Sequence, residues 1–185
     1  MMGLFFARSA QAVTVQRVVS PQGIEAWLVE DHTNPILSMR FAFRGGAALD
    51  PSGKEGLAGM VSALLDEGAG SLDSQAFQRK LEDLSVQLSF NTGRDTFSGR
   101  LKTLSKRRNK AFDLLRLALT APRFDGEAIE RIRSQIIASL KQDLEAPDLI
   151  ASRAMMKRLF PSHPYGRPTH GTIKSVKTIR ASDLK

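Results

Sequence analysis

Histidine and cysteine side chains are the usual carriers of metal-dependent and nucleophilic chemistry, and this 185-residue sequence has few of them. It contains three histidines and no cysteine, so disulfides, thiolate catalysis and thiolate metal sites are excluded. His32 lies in a predicted strand turn, whereas His163 and His170 lie in a predicted loop, and no histidine occurs between the first two. Because no carboxylate stands beside them at ligand spacing, we predict hydrogen-bonded or exposed histidines rather than a metal site.

Carboxylates could still supply general acid or base catalysis. Asp66 and Glu67 end a predicted helix that Glu55 precedes. Adjacent residues of a helix point to different sides, so Asp66 and Glu67 do not form a catalytic dyad. The pattern indicates a solvated helix edge.

The chain is basic, with 27 Lys and Arg against 19 Asp and Glu and a net charge of +8. Its densest cluster of cations comprises Lys102, Lys106, Arg107, Arg108 and Lys110. A basic balance favours acidic partners, anionic membrane surfaces or nucleic acid. Single-stranded nucleic acid is bound by aromatic side chains as well as cations, and only Phe112 adjoins this cluster. We therefore predict a solvated helix start and no nucleic-acid partner.

The periodicity of apolar residues predicts the elements that must position any site. A period of two predicts strands over residues 13–19, 24–30 and 36–43 as a meander, and a hairpin over 86–90 and 97–101. In the third strand, Met39 and Phe41 facing the core would direct Arg40 to the opposite face of the sheet. A helical period begins at Leu57 and recurs in later segments, and Asp73, Ser105 and Asp125 are predicted helix N-caps.

These elements define an α+β fold, since the strands arrive as hairpins rather than alternating one for one with helices. We predict an antiparallel sheet of about five or six strands with helices packed on one face. Residues 13–185 are expected to form a single module, truncated before its last strand or strands.

Six short motifs follow one another in a fixed order. They are Phe41-Ala42-Phe43-Arg44-Gly45-Gly46, Leu49-Asp50-Pro51, Gly56-Leu57-Ala58, Pro122-Arg123-Phe124, Leu159-Phe160 with His163-Pro164-Tyr165-Gly166, and Gly171-Thr172. In this order they resemble the N-terminal module of the pitrilysin/insulinase (inverzincin) zinc metallopeptidases. The resemblance covers about Val18 to Lys185, nearly the whole chain.

Active members of that family carry the zinc motif H-x-x-E-H on the helix that follows Gly-Leu-Ala. Two imidazoles four residues apart bind Zn²⁺, the glutamate activates the metal-bound water, and a glutamate on a later long helix completes the ligands. The matching positions here are Gly59, Ser62 and Ala63, and the matching downstream position is Ser139. Glycine and alanine have no donor atom, and a serine hydroxyl binds zinc poorly. The resemblance therefore implies a module without zinc or any other cofactor, and without a catalytic residue at these positions.

The resemblance also implies a function. In this family two similar modules form a subunit, two subunits close around a peptide, and the sheet face away from the helices lines the chamber. We expect a non-catalytic module that pairs with a related zinc-bearing peptidase subunit and helps to form a chamber for peptide substrate. Two alternatives stay open: a degenerate metallopeptidase with residual peptide hydrolysis, and a basic domain that binds nucleic acid or an anionic surface.

The first twelve residues bear on location. Ala10-Gln11-Ala12 is a small-x-small cleavage pattern preceded by the short apolar run Leu4–Ala7, which is typical of the end of a secretory signal peptide. We expect residues 1–12 to be a signal-peptide remnant or a disordered tail, and the protein to be exported or periplasmic, otherwise cytoplasmic. No run reaches the ~20 apolar residues that a transmembrane helix needs.

Overall fold

The computed structural model describes residues 13–184, so the predicted signal-peptide remnant at residues 1–12 lies outside the described residues. The chain divides after Pro35 into two compact units. In the first unit, β1 (Val15–Val19) and β2 (Glu25–Val29) form an antiparallel hairpin. Gly23 turns the chain between them with φ of 83°, a left-handed conformation that glycine adopts without steric cost.

The second unit contains three strands and six α-helices among the described residues. Its strands are β3 (Ile36–Arg44), β4 (Gln87–Thr92) and β5 (Thr96–Leu104). Its helices are α1 (Leu57–Leu64), α2 (Ser74–Asp83), α3 (Arg108–Thr120), α4 (Gly126–Asp143), α5 (Pro147–Leu159) and α6 (Ile173–Thr178).

The three strands form an antiparallel sheet in the order β3-β5-β4. Arg40 lies opposite Arg100 across the β3–β5 ladder, and Arg100 lies opposite Ser89 across the β5–β4 ladder. The predicted hairpin of β4 and β5 is confirmed. Of the predicted meander of the first three strands, the antiparallel pairing of β1 with β2 is confirmed. The pairing of β2 with β3 is wrong, because β1 and β2 form a sheet of their own and β3 takes β5 as its partner.

One face of the three-stranded sheet is covered by helices. Leu88 of β4 and Leu101 of β5 are buried in one apolar cluster with Phe77, Leu81, Ala111, Leu115 and other residues of α2 and α3. A second cluster joins α1 to α4 through Met60, Leu64, Ile129 and Ile132, with Phe90 and Phe97 of the strands packed against it. Each large side chain buried in this way stabilises the fold by about 1.5–3 kcal/mol. The α+β architecture with five described strands confirms the predicted fold class.

Candidate functional site

The helix α1, which carries three of the four predicted site positions, is held at its N-terminus by a buried carboxylate. Asp50 is only 4% exposed. Its side chain accepts hydrogen bonds from the backbone N–H groups of Gly56, at 2.7 Å, and Ala58, at 2.9 Å. The first amides of a helix have no partner within the helix, and negative charge is favourable there. Asp50 therefore caps α1 although it lies six residues before the first of these amides.

Burial raises the pKa of Asp50, and this is opposed by the amide hydrogen bonds and by the positive charge of Arg167. The guanidinium of Arg167 donates to the carbonyl oxygens of Asp50, at 2.7 Å, and Ala48, at 3.0 Å. An arginine from late in the chain thus fixes the loop that caps α1.

The segment around Tyr165 is in turn bound to the β4–β5 turn. The Tyr165 hydroxyl donates to Asp95 Oδ2 at 2.7 Å, and Arg94 donates to the Tyr165 carbonyl oxygen at 2.8 Å. The Arg94 guanidinium also lies over the Tyr165 ring, 5.2 Å from its centroid, where the ring quadrupole attracts a cation. Gly166 is needed here, because a Cβ atom at this position would lie 2.1 Å from the Phe160 carbonyl oxygen.

Within α1, the positions that match the zinc motif offer no metal ligand. A side chain on Gly59 would meet open space, since no atom lies within 4 Å of a Cβ built there. Ser62 is buried, and its hydroxyl donates to the Gly59 carbonyl oxygen at 2.8 Å. Ala63 packs against the second apolar cluster. The helix keeps its place beside β4, where the Thr92 hydroxyl donates to the Ala58 carbonyl oxygen at 2.9 Å.

The fourth position, Ser139, lies on α4 and is exposed. Helices α1 and α4 pack against each other, as the resemblance requires of the helices that would share a metal. The structure therefore brings the two helices together, and the assignment of these four positions to a lost zinc site stays a prediction. The donor set of Gly59, Ser62, Ala63 and Ser139 does not fit Zn²⁺, which binds thiolate, imidazole and carboxylate ligands in proteins.

Over residues 13–184, no group of three or more His, Cys, Asp or Glu side chains is placed to hold a metal ion. His163 Nδ1 accepts from the Tyr165 backbone N–H at 3.2 Å, and its ring contacts the Tyr165 ring edge to face at 4.7 Å between centroids. The His32 side chain is 91% exposed. These two histidines are respectively hydrogen-bonded and exposed, as predicted.

The predicted solvated edge at the end of α1 is wrong. Glu67 is paired with Arg131 of α4, with oxygen–nitrogen distances of 3.0 and 2.5 Å, and it also accepts from the Ser74 hydroxyl. Hydrogen bonding from Arg131 lowers the pKa of Glu67, whereas burial raises the pKa of the neighbouring Asp66 to about 6. Sequence reasoning missed this pair because its members are 64 residues apart and only the packing of α4 on α1 joins them.

The fold and the site together define an α+β module whose helix α1 carries no histidine, cysteine or carboxylate side chain that could bind a metal. The family model for insulinase (peptidase family M16) matches residues 26–173. The chain belongs to this family.

Three proteins that are similar to this chain support the family assignment. The non-peptidase homolog YmxG of Helicobacter pylori is 28% identical over 185 residues, which is all of this chain and 43% of that protein. The mitochondrial-processing peptidase subunit beta of Saccharomyces cerevisiae is 28% identical over 130 residues, covering 70% of this chain and 28% of that protein. The crystal structure of a peptidase M16 inactive domain from Pseudomonas fluorescens superposes with a TM-score of 0.86 at 28% identity, covering 93% of this chain and 42% of that one. The chain spans less than half the length of these relatives.

Proposed function

We propose that the chain is a non-catalytic module of a pitrilysin-like peptidase, and that it pairs with a zinc-bearing partner to form a peptide-binding chamber. The proposal rests on the packing and the side chains of α1. The helix is capped, packed and joined to β4 and α4, yet Gly59 and Ala63 have no donor atom and the Ser62 hydroxyl is bonded to the backbone. A module that retains this helix without a zinc ligand on it has a structural or binding role.

The similar proteins support the non-catalytic part of the proposal, since one is named a non-peptidase homolog and another an inactive domain. Pairing is supported by the similarity to a protein named as a subunit of a processing peptidase. We place the assembly outside the cytoplasm because of the cleavage pattern at Ala10-Gln11-Ala12. Among residues 13–184, no helix has the length and apolar character needed to cross a bilayer.

Zinc binding tests the assignment of the site. We expect the melting temperature of the wild-type chain to be unaffected by micromolar Zn²⁺. The variant Gly59→His/Ala63→His restores two imidazoles four residues apart, and the space around Gly59 admits the new side chain. At a tenfold excess of zinc over its Kd, binding stabilises a protein by about 1.4 kcal/mol, which raises the melting temperature of a chain of this size by about 3–6 °C.

The single variant Ala63→His is the control, and it should show a much smaller shift. A zinc-dependent rise in the melting temperature of the wild-type chain, accompanied by peptide cleavage, would support residual hydrolysis instead.

Pairing is tested by producing the chain together with an H-x-x-E-H homologue from the same source. We expect a stable heteromer by native mass spectrometry. Its peptide cleavage should disappear when the glutamate of the homologue's zinc motif is changed to glutamine, and should persist when Ser62 of this chain is changed to alanine. Separate elution of the two chains at micromolar concentration would contradict pairing.

A further inference from the structure

The sheet face opposite the helices carries positive charge that no ion pair among residues 13–184 neutralises. This open face includes Ser38, Arg40, Ala42, Arg44, Ser89, Asn91, Ser98, Arg100 and Lys102, which alternate with the core-facing residues of β3, β4 and β5. Ile36, Gln87, Thr96 and Leu104 lie on the same face towards the strand ends. Three of its four cations, Arg40, Arg44 and Arg100, are exposed. The three strands contain no aspartate or glutamate, and over residues 13–184 none of the four cations takes part in an ion pair.

The register brings these cations close to one another. Arg40 and Arg100 are direct partners across the β3–β5 ladder, and Lys102 is the next residue of β5 on the same face. Like charges directly opposite each other destabilise a sheet. Since no carboxylate among residues 13–184 lies within ion-pair distance of these cations, the arrangement is suited to an anion supplied from outside.

Small side chains leave room for such a ligand between the cations. An open depression of about 400 Å³ lies on the sheet beside Arg40 and Arg100, where Ala42, Ser89 and Ser98 are the small neighbours. Phe41 and Phe90 also border it. Serine hydroxyls and the Asn91 amide can donate hydrogen bonds to a carboxylate. Phe41 and Phe90 belong to the core-facing set of their strands and pack against the apolar cluster. The open face therefore lacks the stacking platform with which proteins bind single-stranded nucleic acid.

The spacing of the cations matches an extended polypeptide. Arg40 and Arg44 are four residues apart on one strand, about 13 Å, and Arg100 and Lys102 are two residues apart, about 7 Å. Carboxylates at alternate positions of an extended peptide project from one side with the same spacing.

We propose that this open face binds extended polypeptide segments rich in aspartate and glutamate, with Arg40 and Arg100 as the central contacts. The inference rests on the proposed function, since it gives the substrate class that the wall of the chamber would prefer.

Fluorescence anisotropy with the chain alone tests the inference. The probe is a labelled peptide of about twelve residues with glutamate at alternate positions, and its counterpart has glutamine in place of each glutamate. We expect Arg40→Gln/Arg100→Gln to raise the Kd of the acidic peptide about tenfold. The matched control Arg108→Gln/Lys110→Gln removes the same charge from the exposed start of α3, and it should change the Kd less than about twofold. The glutamine peptide should bind the wild-type chain about tenfold more weakly.

Equal losses in the two variants would show that net charge alone attracts the peptide, and equal binding of the glutamine peptide would show that carboxylates are not recognised. A labelled oligonucleotide of equal charge that binds more tightly than the peptide, and depends on Arg40 and Arg100, would assign the face to nucleic acid. Each of these results overturns the inference. Because no partner is present, failure here is distinct from failure of the heteromer to form.

Discussion

Removal of the Asp50 carboxylate tests whether the buried cap holds α1 in place. Asp50→Ala leaves the amides of Gly56 and Ala58 without their acceptor. A buried donor left unsatisfied costs about 1–3 kcal/mol, so two cost about 2–6 kcal/mol. Burial of the carboxylate has a cost of its own, visible in the raised pKa of Asp50, and the variant recovers it. We therefore expect a loss of about 3 kcal/mol in the free energy of unfolding.

The assay is thermal and denaturant unfolding followed by circular dichroism at pH 7. For a chain of this length, the expected loss lowers the melting temperature by about 6–12 °C. Asp50→Asn keeps the shape of the side chain and one acceptor oxygen, so it should lose about half as much.

The control is Asp73→Ala, which removes an exposed N-cap that accepts from one amide, that of Ala76, at 2.7 Å. The usual cost of losing such a cap is about 1 kcal/mol, or about 2–4 °C here. If Asp50→Ala lost no more stability than Asp73→Ala, or if Asp50→Asn were identical to the wild type, the account of a buried cap that positions α1 would be refuted.

Three further substitutions test the pKa of Asp66 and the space around two glycines. Because the folded-state pKa of Asp66 is about 6, the native protein binds more protons than the unfolded chain between about pH 4 and 6, and this carboxyl lowers stability as pH rises through that window. Asp66→Asn should therefore raise the free energy of unfolding at pH 7.5 by about 3 kcal/mol and leave it nearly unchanged at pH 4. An equal effect at both pH values would contradict the raised pKa. Gly99→Ala should lower the free energy of unfolding by about 1–3 kcal/mol, because its Cβ would lie 2.1 Å from the Phe41 ring. Gly59→Ala should raise the free energy of unfolding by about 1 kcal/mol in the same experiment, because Gly59 lies in a helix with open space around it. A stabilising Gly99→Ala and a destabilising Gly59→Ala would show that the two sites are packed differently.

Local sequence patterns were sufficient to predict an element when its conformation depends on residues close to one another in the chain. The 3.6-residue period starting at Leu57 predicted α1, and Asp73 caps α2 as predicted. The other two predicted caps behave differently. Asp125 lies at the N-cap position of α4, but its carboxylate accepts from Arg123, and Ser105 begins a short 3-10 turn before α3 starts at Arg108. A capping residue type indicates a helix start, whereas its actual hydrogen bond depends on which neighbours compete for it.

Local sequence patterns did not predict which strands pair when the strands are far apart in the chain. The alternation of Met39 and Phe41 predicted that Arg40 faces away from the core, and this is confirmed. The same alternation could not choose between β2 and β5 as the partner of β3, since a period of two specifies faces and not partners.

The sequence by itself determined the α+β class, the elements that surround the site and the absence of zinc-binding side chains at Gly59 and Ala63, because these follow from residue types and their spacing. The tertiary structure alone decided how α1 is held: by Asp50 at its start and by Glu67, paired with Arg131, at its end. It also decided that the cations of β3 and β5 meet on one open face. These contacts join residues far apart in the chain, so only the packing of the whole module brings them together.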